Sequence, residues 1–184
     1  MELEMSAEAK DRRLNRRVAV TVMALAVWAG LCNIKDGNIV QAMQQAQADA
    51  VDRWGEYQAD KTKLRVAETA RLEIAAIATG PRAAAALRPL DSDIAKYRVE
   101  APALARQAKD FAAAYEALNV HDDQFDAAEA LGSTAISLAA MAALVDTFAL
   151  LIAGWSFAAG AVFLGLCGFM GWAFHPAVLS GVLG

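Results

Sequence analysis

The sequence has few of the residues on which most enzymes and metal proteins depend. Its 184 residues include two histidines, two cysteines and four prolines. It contains no Gly-rich phosphate loop, no nucleophile elbow and no Cys-x-x-Cys pair. Cys32 and Cys167 both fall in apolar stretches, so we expect buried thiols rather than a disulfide. These deficits argue against enzymatic activity, and we predict no catalytic residue, no metal site and no cofactor.

Charge is absent from two long stretches of the chain. No charged residue occurs between Val18 and Ile34, and Asp146 is the one charged residue between Ala130 and Gly184. Residues 35–129 hold 12 Lys or Arg and 16 Asp or Glu. Apolar residues make up 57% of the sequence, which is high for a soluble domain. The pattern predicts an integral membrane protein with a polar middle, whose acidic excess argues against a nucleic-acid partner.

The first apolar stretch, residues 14–34, is long enough to cross a bilayer. A hydrocarbon core of about 30 Å requires roughly 20 helical residues, and Arg16 and Arg17 can extend into the headgroup region. A cleaved signal peptide is the main alternative. However, the stretch lacks a small-x-small cleavage site, and Leu31 before Cys32 is unsuitable for a lipoprotein site. We therefore predict a retained transmembrane helix.

The C-terminal apolar region is long enough for two crossings. The break between them falls either at Asp146-Thr147 or at Gly154-Trp155. We predict spans at residues 130–145 and 148–174, a turn at 146–147 and a short tail at 175–184. Asp146 in the turn is an ordinary residue, whereas an acid at bilayer depth would be a functional candidate.

Glycines in the last span are spaced for close helix packing. Gly160, Gly165 and Gly168 would let another helix backbone approach in lipid. The sequence leaves open whether that helix belongs to the same chain or to another subunit.

The polar middle, residues 35–129, reads as two helical arms around a tip at residues 79–93. Apolar residues recur at alternating steps of three and four, which predicts a coiled-coil seam. Pro102 either kinks the return arm or marks its start. The predicted seam residues are Trp54, Tyr57, Leu64, Tyr97, Leu104, Phe111, Tyr115, Leu118 and Phe125.

Pairing of the arms about this tip would place Tyr57 opposite Tyr115 and Leu64 near Ala108. Aromatic residues at seam spacing favour a packed core over a binding face. One dense polar cluster, "HDDQFDAAE", follows the return arm. A divalent-cation site formed by Asp122, Asp126 and Glu129 beside His121 is an alternative there, but a solvated helix face is the preferred interpretation.

Basic residues predict the orientation of the chain. Lys10, Arg12, Arg13, Arg16 and Arg17 lie before the first span, so the positive-inside rule places residues 1–13 in the cytoplasm. With three spans, the hairpin would then lie in the periplasm, outside a bacterial inner membrane. The turn between the last two spans carries no Lys or Arg and gives this topology no support.

Several segments resemble the bacterial membrane proteins grouped as domain of unknown function 4337. "LNRRVAVT" opens the first span, "DRWGEYQAD" lies on the first arm and "FDAAEAL" leads into the second span. The sequence departs from the family at Val145, Asp146, Thr147 and Phe148, where a basic run with Trp is usual. The resemblance covers nearly the whole chain and implies the architecture above, but it implies no activity. The matching positions are Asp52, Trp54, Tyr57, Gln58, Ala59, Phe125, Asp126, Ala128 and Glu129.

The sequence thus predicts an all-α integral membrane protein with three transmembrane helices and a long antiparallel coiled-coil hairpin outside the bilayer. We expect a scaffold or assembly protein that self-associates. An accessory subunit of a larger membrane complex is one alternative, and a homo-oligomeric channel or proton path using Asp146 is another. The expected partners are the lipid bilayer and either further copies of the chain or other membrane proteins, with no nucleic acid and no small-molecule substrate.

Overall fold

The computed structural model describes the backbone of residues 2–172 and 174, and the side chains from residue 12 onward within that range. It consists of three helices in the order α1 (Glu2–Ile77), α2 (Pro81–Leu144) and α3 (Phe148–Met170). The described residues contain no strand, so the all-α prediction is confirmed. The predicted tail at residues 175–184 lies outside the described residues.

The turn between α1 and α2 is shorter than the predicted tip. It comprises residues 78–80, with Gly80 at a φ of 97° that favours glycine. Residues 81–93, which we expected in the tip, are helical. Pro81 can begin α2 because its fixed φ suits the first helical position, where no N–H is needed. Pro89 and Pro102 lie inside α2, so Pro102 does not mark the start of the return arm.

The turn between α2 and α3 surrounds Asp146. α2 ends at Leu144 and α3 begins at Phe148, which places the break at the first of the two positions considered from the sequence. Asp146 has a φ of 50°, a left-handed conformation that Asp tolerates better than most residues. α3 ends at Met170 and is capped by Gly171, which is also left-handed, and the N–H of Trp172 donates a hydrogen bond to the carbonyl of Cys167.

The chain divides into two compact units. The first, called the bundle, contains residues 1–41 and 117–184, and the second, called the hairpin, contains residues 42–116. In the bundle, small residues make up much of the interior, including Ala135, Ala139, Ala142 and Ala161, each with 0% exposure. Leu14 and Val18 of α1 pack with Ala139, Ala142 and Leu151.

All three helices are long and apolar enough to cross a membrane. Large apolar side chains remain exposed on the bundle. On α1 they include Val20, Met23, Val27, Leu31 and Ile34, which are between 50% and 70% exposed. The bundle therefore presents many large apolar groups outward, whereas alanines make up much of its interior.

The hairpin is an antiparallel pair of helices. Glu68 accepts a hydrogen bond from Arg98 at 2.7 Å, and Asp91 accepts one from Arg71, so each arm contributes one acid and one base to these two pairs. Because the turn ends at Gly80, residues of α1 face earlier residues of α2 than predicted. Leu64 lines a groove with Ala101, one heptad before the predicted neighbour Ala108.

Candidate functional site

Four carboxyl groups gather at one end of the bundle, called the acidic end: those of Asp36 on α1 and of Asp122, Asp126 and Glu129 on α2. The carboxyls of Asp36 and Asp122 lie within hydrogen-bonding distance of each other. Oδ1 of Asp36 is buried and accepts no hydrogen bond from an amide, hydroxyl or cationic group among the described residues. A hydrogen bond between the two carboxyls requires a proton on one of them.

This arrangement raises two pKa values. The pKa of Asp36, which follows the predicted first span, rises from 3.8 to about 6. Burial is the largest cause, followed by the charge of Asp122, the hydrogen bond to it, and the charges of Asp126 and Glu129. Burial, with the charges of Asp122, Asp123 and Glu129, also raises the pKa of Asp126. The acidic end therefore retains a proton at mildly acidic pH.

The described residues do not form a metal-binding cluster at the acidic end or elsewhere. The alternative of a divalent-cation site formed by Asp122, Asp126 and Glu129 beside His121 therefore has no geometric support in them. Nδ1 of His121 instead lies 3.1 Å from Oε1 of Gln124.

Gln124 links the acidic end to the end of α3. Its side chain has 0% exposure, and its amide nitrogen donates hydrogen bonds to the carbonyl oxygens of Trp172 at 2.8 Å and Phe174 at 2.5 Å. A buried amide is costly unless it is hydrogen-bonded, so these contacts stabilise the amide in the interior. This role could not be predicted from the sequence, because the polar segment around Gln124 is typical of a solvated helix face.

The three predicted packing glycines face other helices of the same chain. A Cβ atom at Gly168 would lie 2.6 Å from the ring of Phe125, and one at Gly165 would lie 2.7 Å from the ring of Trp28. A Cβ at Gly160 would lie 3.1 Å from Cδ1 of Leu131. The glycine face is therefore covered within the chain, which the sequence had left open.

The predicted seam residues fall into both units. Trp54 and Tyr57 pack edge to face, with ring centroids 5.4 Å apart, and Trp54 remains 36% exposed. Phe111, Tyr115 and Leu118 are half-buried. Phe125 does not belong to the hairpin: it is 2% exposed and packs edge to face against Phe169 of α3 in the bundle, at 5.3 Å.

Alanines are the most buried residues of the hairpin. Ala101 and Ala108 are 2% and 0% exposed, and Ala46, Ala50 and Ala67 are also buried. The predicted seam residues Tyr57 and Tyr97 are half-buried and thus more exposed than these alanines.

One groove of the hairpin is lined by bases and by no acid. This groove, called the basic groove, has a volume of about 460 Å³ and an apolar floor of Tyr57, Leu64, Tyr97 and Ala101. Pro102 and Ala105 complete its apolar lining. The charged residues around it are Lys61, Arg98, Arg106 and Lys109.

Another groove of the hairpin, of about 520 Å³, carries both signs of charge and is called the mixed groove. Predicted seam residue Leu104 lines it. Arg53 pairs with Glu56, and Lys63 pairs with Asp60 at 3.0 Å. Charges in the mixed groove therefore satisfy one another within the hairpin.

Asp146 is exposed in the turn between α2 and α3. Oγ1 of the following residue, Thr147, donates a hydrogen bond to the carbonyl of Val145, which closes the turn locally. The geometry is that of an ordinary turn residue, as the sequence favoured.

Comparison with known proteins adds a family but no activity. The model of a family described as Domain of unknown function (DUF4337) matches residues 14–171. No curated protein and no solved structure matches the chain. The match covers most of the bundle and the whole hairpin, as the resemblance of the sequence segments implied. The chain therefore belongs to this family of domains of unknown function.

Proposed function

We propose that the chain is a membrane-anchored scaffold, with the bundle inserted in a bilayer and the hairpin in water, where it binds partner proteins. The exposed surface of the bundle carries the argument for insertion. Water-soluble proteins rarely expose large continuous apolar surfaces. Val20, Met23 and Ile34 of α1 are at least 64% exposed, and Phe163 and Phe169 of α3 are more than 40% exposed. Lipid would cover these side chains favourably.

The basic groove is the single observation that supports a scaffold over a simple anchor. A hairpin that served only as an extension of the membrane anchor would need no groove lined by charges of a single sign. The groove combines an apolar floor with a charged rim, which is the usual composition of a protein-recognition surface. In the proposed orientation, the basic N-terminus is cytoplasmic and the hairpin lies on the opposite side of a bacterial inner membrane.

Two other functions have less support. An accessory subunit was expected to dock through the glycine face, but Trp28 and Phe125 of the same chain cover that face. A channel or proton path using Asp146 requires this acid inside a wet pore, and it is an exposed turn residue. We therefore keep the scaffold as our proposal, with self-association as its expected assembly state.

Fractionation followed by mass measurement tests the proposal. The full chain should remain with the membrane after alkaline carbonate extraction and should require detergent for release. Light scattering of the detergent-solubilised chain should give a small whole-number multiple of its 19.5 kDa mass, after subtraction of the detergent. Release into carbonate as a water-soluble species would refute membrane insertion. Recovery only in a fixed stoichiometry with other proteins would favour the accessory subunit instead.

A further inference from the structure

We propose that the basic groove binds a carboxylate-rich amphipathic helix of a partner protein, which lies between the two arms as a third helix. The inference rests on the proposed scaffold function and names the chemistry of its partner. It follows from the charges of the groove, its shape and the energetic cost of leaving it empty.

The positive charge of the groove does not reflect the overall composition of the hairpin. Residues 42–116 contain eleven Lys or Arg and eleven Asp or Glu, so the hairpin as a whole is neutral. The basic groove nevertheless has four bases and no acid in its lining. The mixed groove has Arg53 and Lys63 with three acids, and all three form ion pairs: Glu56 with Arg53, Asp60 with Lys63, and Glu100 with Lys96. The contrast locates an unbalanced positive charge at the basic groove.

Most of these bases have no internal partner. Arg98 pairs with Glu68, but Lys61, Arg106 and Lys109 form no ion pair with any residue that the structure describes. The ammonium groups of Lys63 and Lys96 lie 5.4 and 5.6 Å from the ring of Tyr97, but they pair with Asp60 and Glu100 and add no unpaired charge to the groove. An acidic partner would therefore meet a positive potential with little competition from carboxylates of the hairpin itself.

One pair of bases on the groove lies at a spacing that disfavours its helix. Arg106 and Lys109, which both line the groove, are three residues apart on α2. Side chains at this spacing are neighbours on a helix surface, so two like charges there repel each other. Asp110, four residues after Arg106, offsets part of this repulsion. Carboxylates of a bound acidic helix would offset the rest.

The shape of the groove fits a helix. Its residues on α2 run from Tyr97 to Lys109, which corresponds to about 18 Å along the helix axis. Apolar side chains line the groove between Lys61 on α1 and three bases on α2, and an amphipathic helix can place its apolar face in such a groove.

A defined peptide tests the assignment with the full-length chain in non-ionic detergent. The probe is a fluorescein-labelled helix of about three heptads, with Leu at a and d positions and Glu at the flanking positions. The control peptide carries Lys in place of every Glu. Fluorescence anisotropy should show saturable binding of the Glu peptide, weakening as NaCl is raised, and no binding of the Lys peptide.

Two matched double variants locate the binding surface. The groove variant combines Arg106→Gln with Lys109→Gln, and the control combines Arg82→Gln with Arg88→Gln, two exposed bases that do not line the groove. Each variant removes two positive charges. The groove variant should weaken binding of the Glu peptide by about tenfold, whereas the control should change it by less than about twofold. Equal losses would show that binding depends on net charge, and would overturn the assignment.

Two further measurements keep the proposal open to refutation. Removing the repulsive pair should leave the thermal midpoint of the groove variant unchanged or slightly raised. A lowered midpoint would mean that the bases stabilise the hairpin, which overturns the argument from repulsion.

Phosphatidylglycerol vesicles should not displace the peptide, and complete displacement would identify an anionic-lipid site instead. If the chain stays in the membrane fraction but does not bind the Glu peptide, this inference alone is refuted. If carbonate extracts the chain, the scaffold proposal is refuted.

Discussion

Small buried residues allow close helix packing in both the bundle and the hairpin, but the side chains that pack around them differ. In the bundle, Gly165 and Gly168 leave space that the rings of Trp28 and Phe125 occupy. In the hairpin, buried alanines form the seam, and ion pairs such as Glu68–Arg98 connect the arms beside it. Shape complementarity therefore specifies the packing of the apolar unit, where charges would be costly. Charge helps to set the register of the unit that we propose to lie in water.

The largest expected effect tests the shape argument in the bundle. Gly168→Ala would place a methyl group 2.6 Å from the ring of Phe125, which is held against Phe169. We expect a loss of about 2 to 3 kcal/mol, measured by thermal unfolding in detergent through tryptophan fluorescence. Gly132→Ala is the matched control, because its new Cβ would lie 3.8 Å from the Cβ of Ala161. The control should be neutral or gain up to about 1 kcal/mol from helix propensity. Similar stability of both variants would show that the ring contact is not a tight fit.

An intermediate effect tests the alanine seam of the hairpin. Ala108→Leu introduces three carbon atoms at a position with 0% exposure, so the arms must separate or the backbone must shift. We expect a loss of about 1 to 2 kcal/mol. Circular dichroism of the full chain should show the lower midpoint, while Ala112→Leu, at an exposed position on the same helix, should leave it nearly unchanged. Equal midpoints for the two variants would mean that aromatic contacts rather than alanines fix the distance between the arms.

The smallest effect concerns the carboxyl groups at the acidic end of the bundle. The pKa of Asp36 is about 6 in the folded chain and 3.8 in its ordinary state, so the folded chain binds this proton more tightly. The corresponding stability is present below about pH 4 and is lost as the pH rises through about 6. Asp36→Asn should therefore flatten the dependence of the thermal midpoint on pH between 4 and 7. At pH 7.5 it should stabilise the chain by about 1 kcal/mol, a value reduced for solvent screening.

A matched variant in the hairpin distinguishes this effect from a general loss of negative charge. Asp93→Asn changes an exposed acid of α2 and should leave the pH dependence as it is in the parent chain. If the dependence of the thermal midpoint on pH became flatter in both variants, or in neither, the carboxyl pair of Asp36 and Asp122 would not be its cause.

Periodicity and charge distribution predicted the helices well, because both signals extend over many residues. The length of the apolar C-terminal region predicted two spans but left two positions for the break between them, and the quoted segments indicated the family. The tip was less predictable, since Pro89 and Pro102 suggest helix ends but lie within α2. A proline removes only one intrahelical hydrogen bond, and packing along a long helix can offset that loss. The position of the turn then changed which residues of the arms face each other.

The candidate sites depended on pairings that no local pattern contains. Asp36 lies on α1, almost ninety residues before Asp122, and only the folded bundle brings their carboxyls together. The basic groove joins Lys61 to Arg106 and Lys109 in the same way. One signal was available for the groove, namely two bases three residues apart, Arg106 and Lys109, on the second arm. Its meaning required the structure, because exposed like charges are common and usually have no partner.

The hydrogen bonds of the Gln124 side chain indicate where the C-terminal boundary of the bundle lies. The family match ends at residue 171, yet the carbonyls that receive this buried amide belong to Trp172 and Phe174. A chain truncated at residue 171 would leave this amide without these two acceptors, which should lower the free energy of unfolding by roughly 1 to 3 kcal/mol. The physical boundary of the bundle thus falls a few residues beyond the one drawn by sequence likeness.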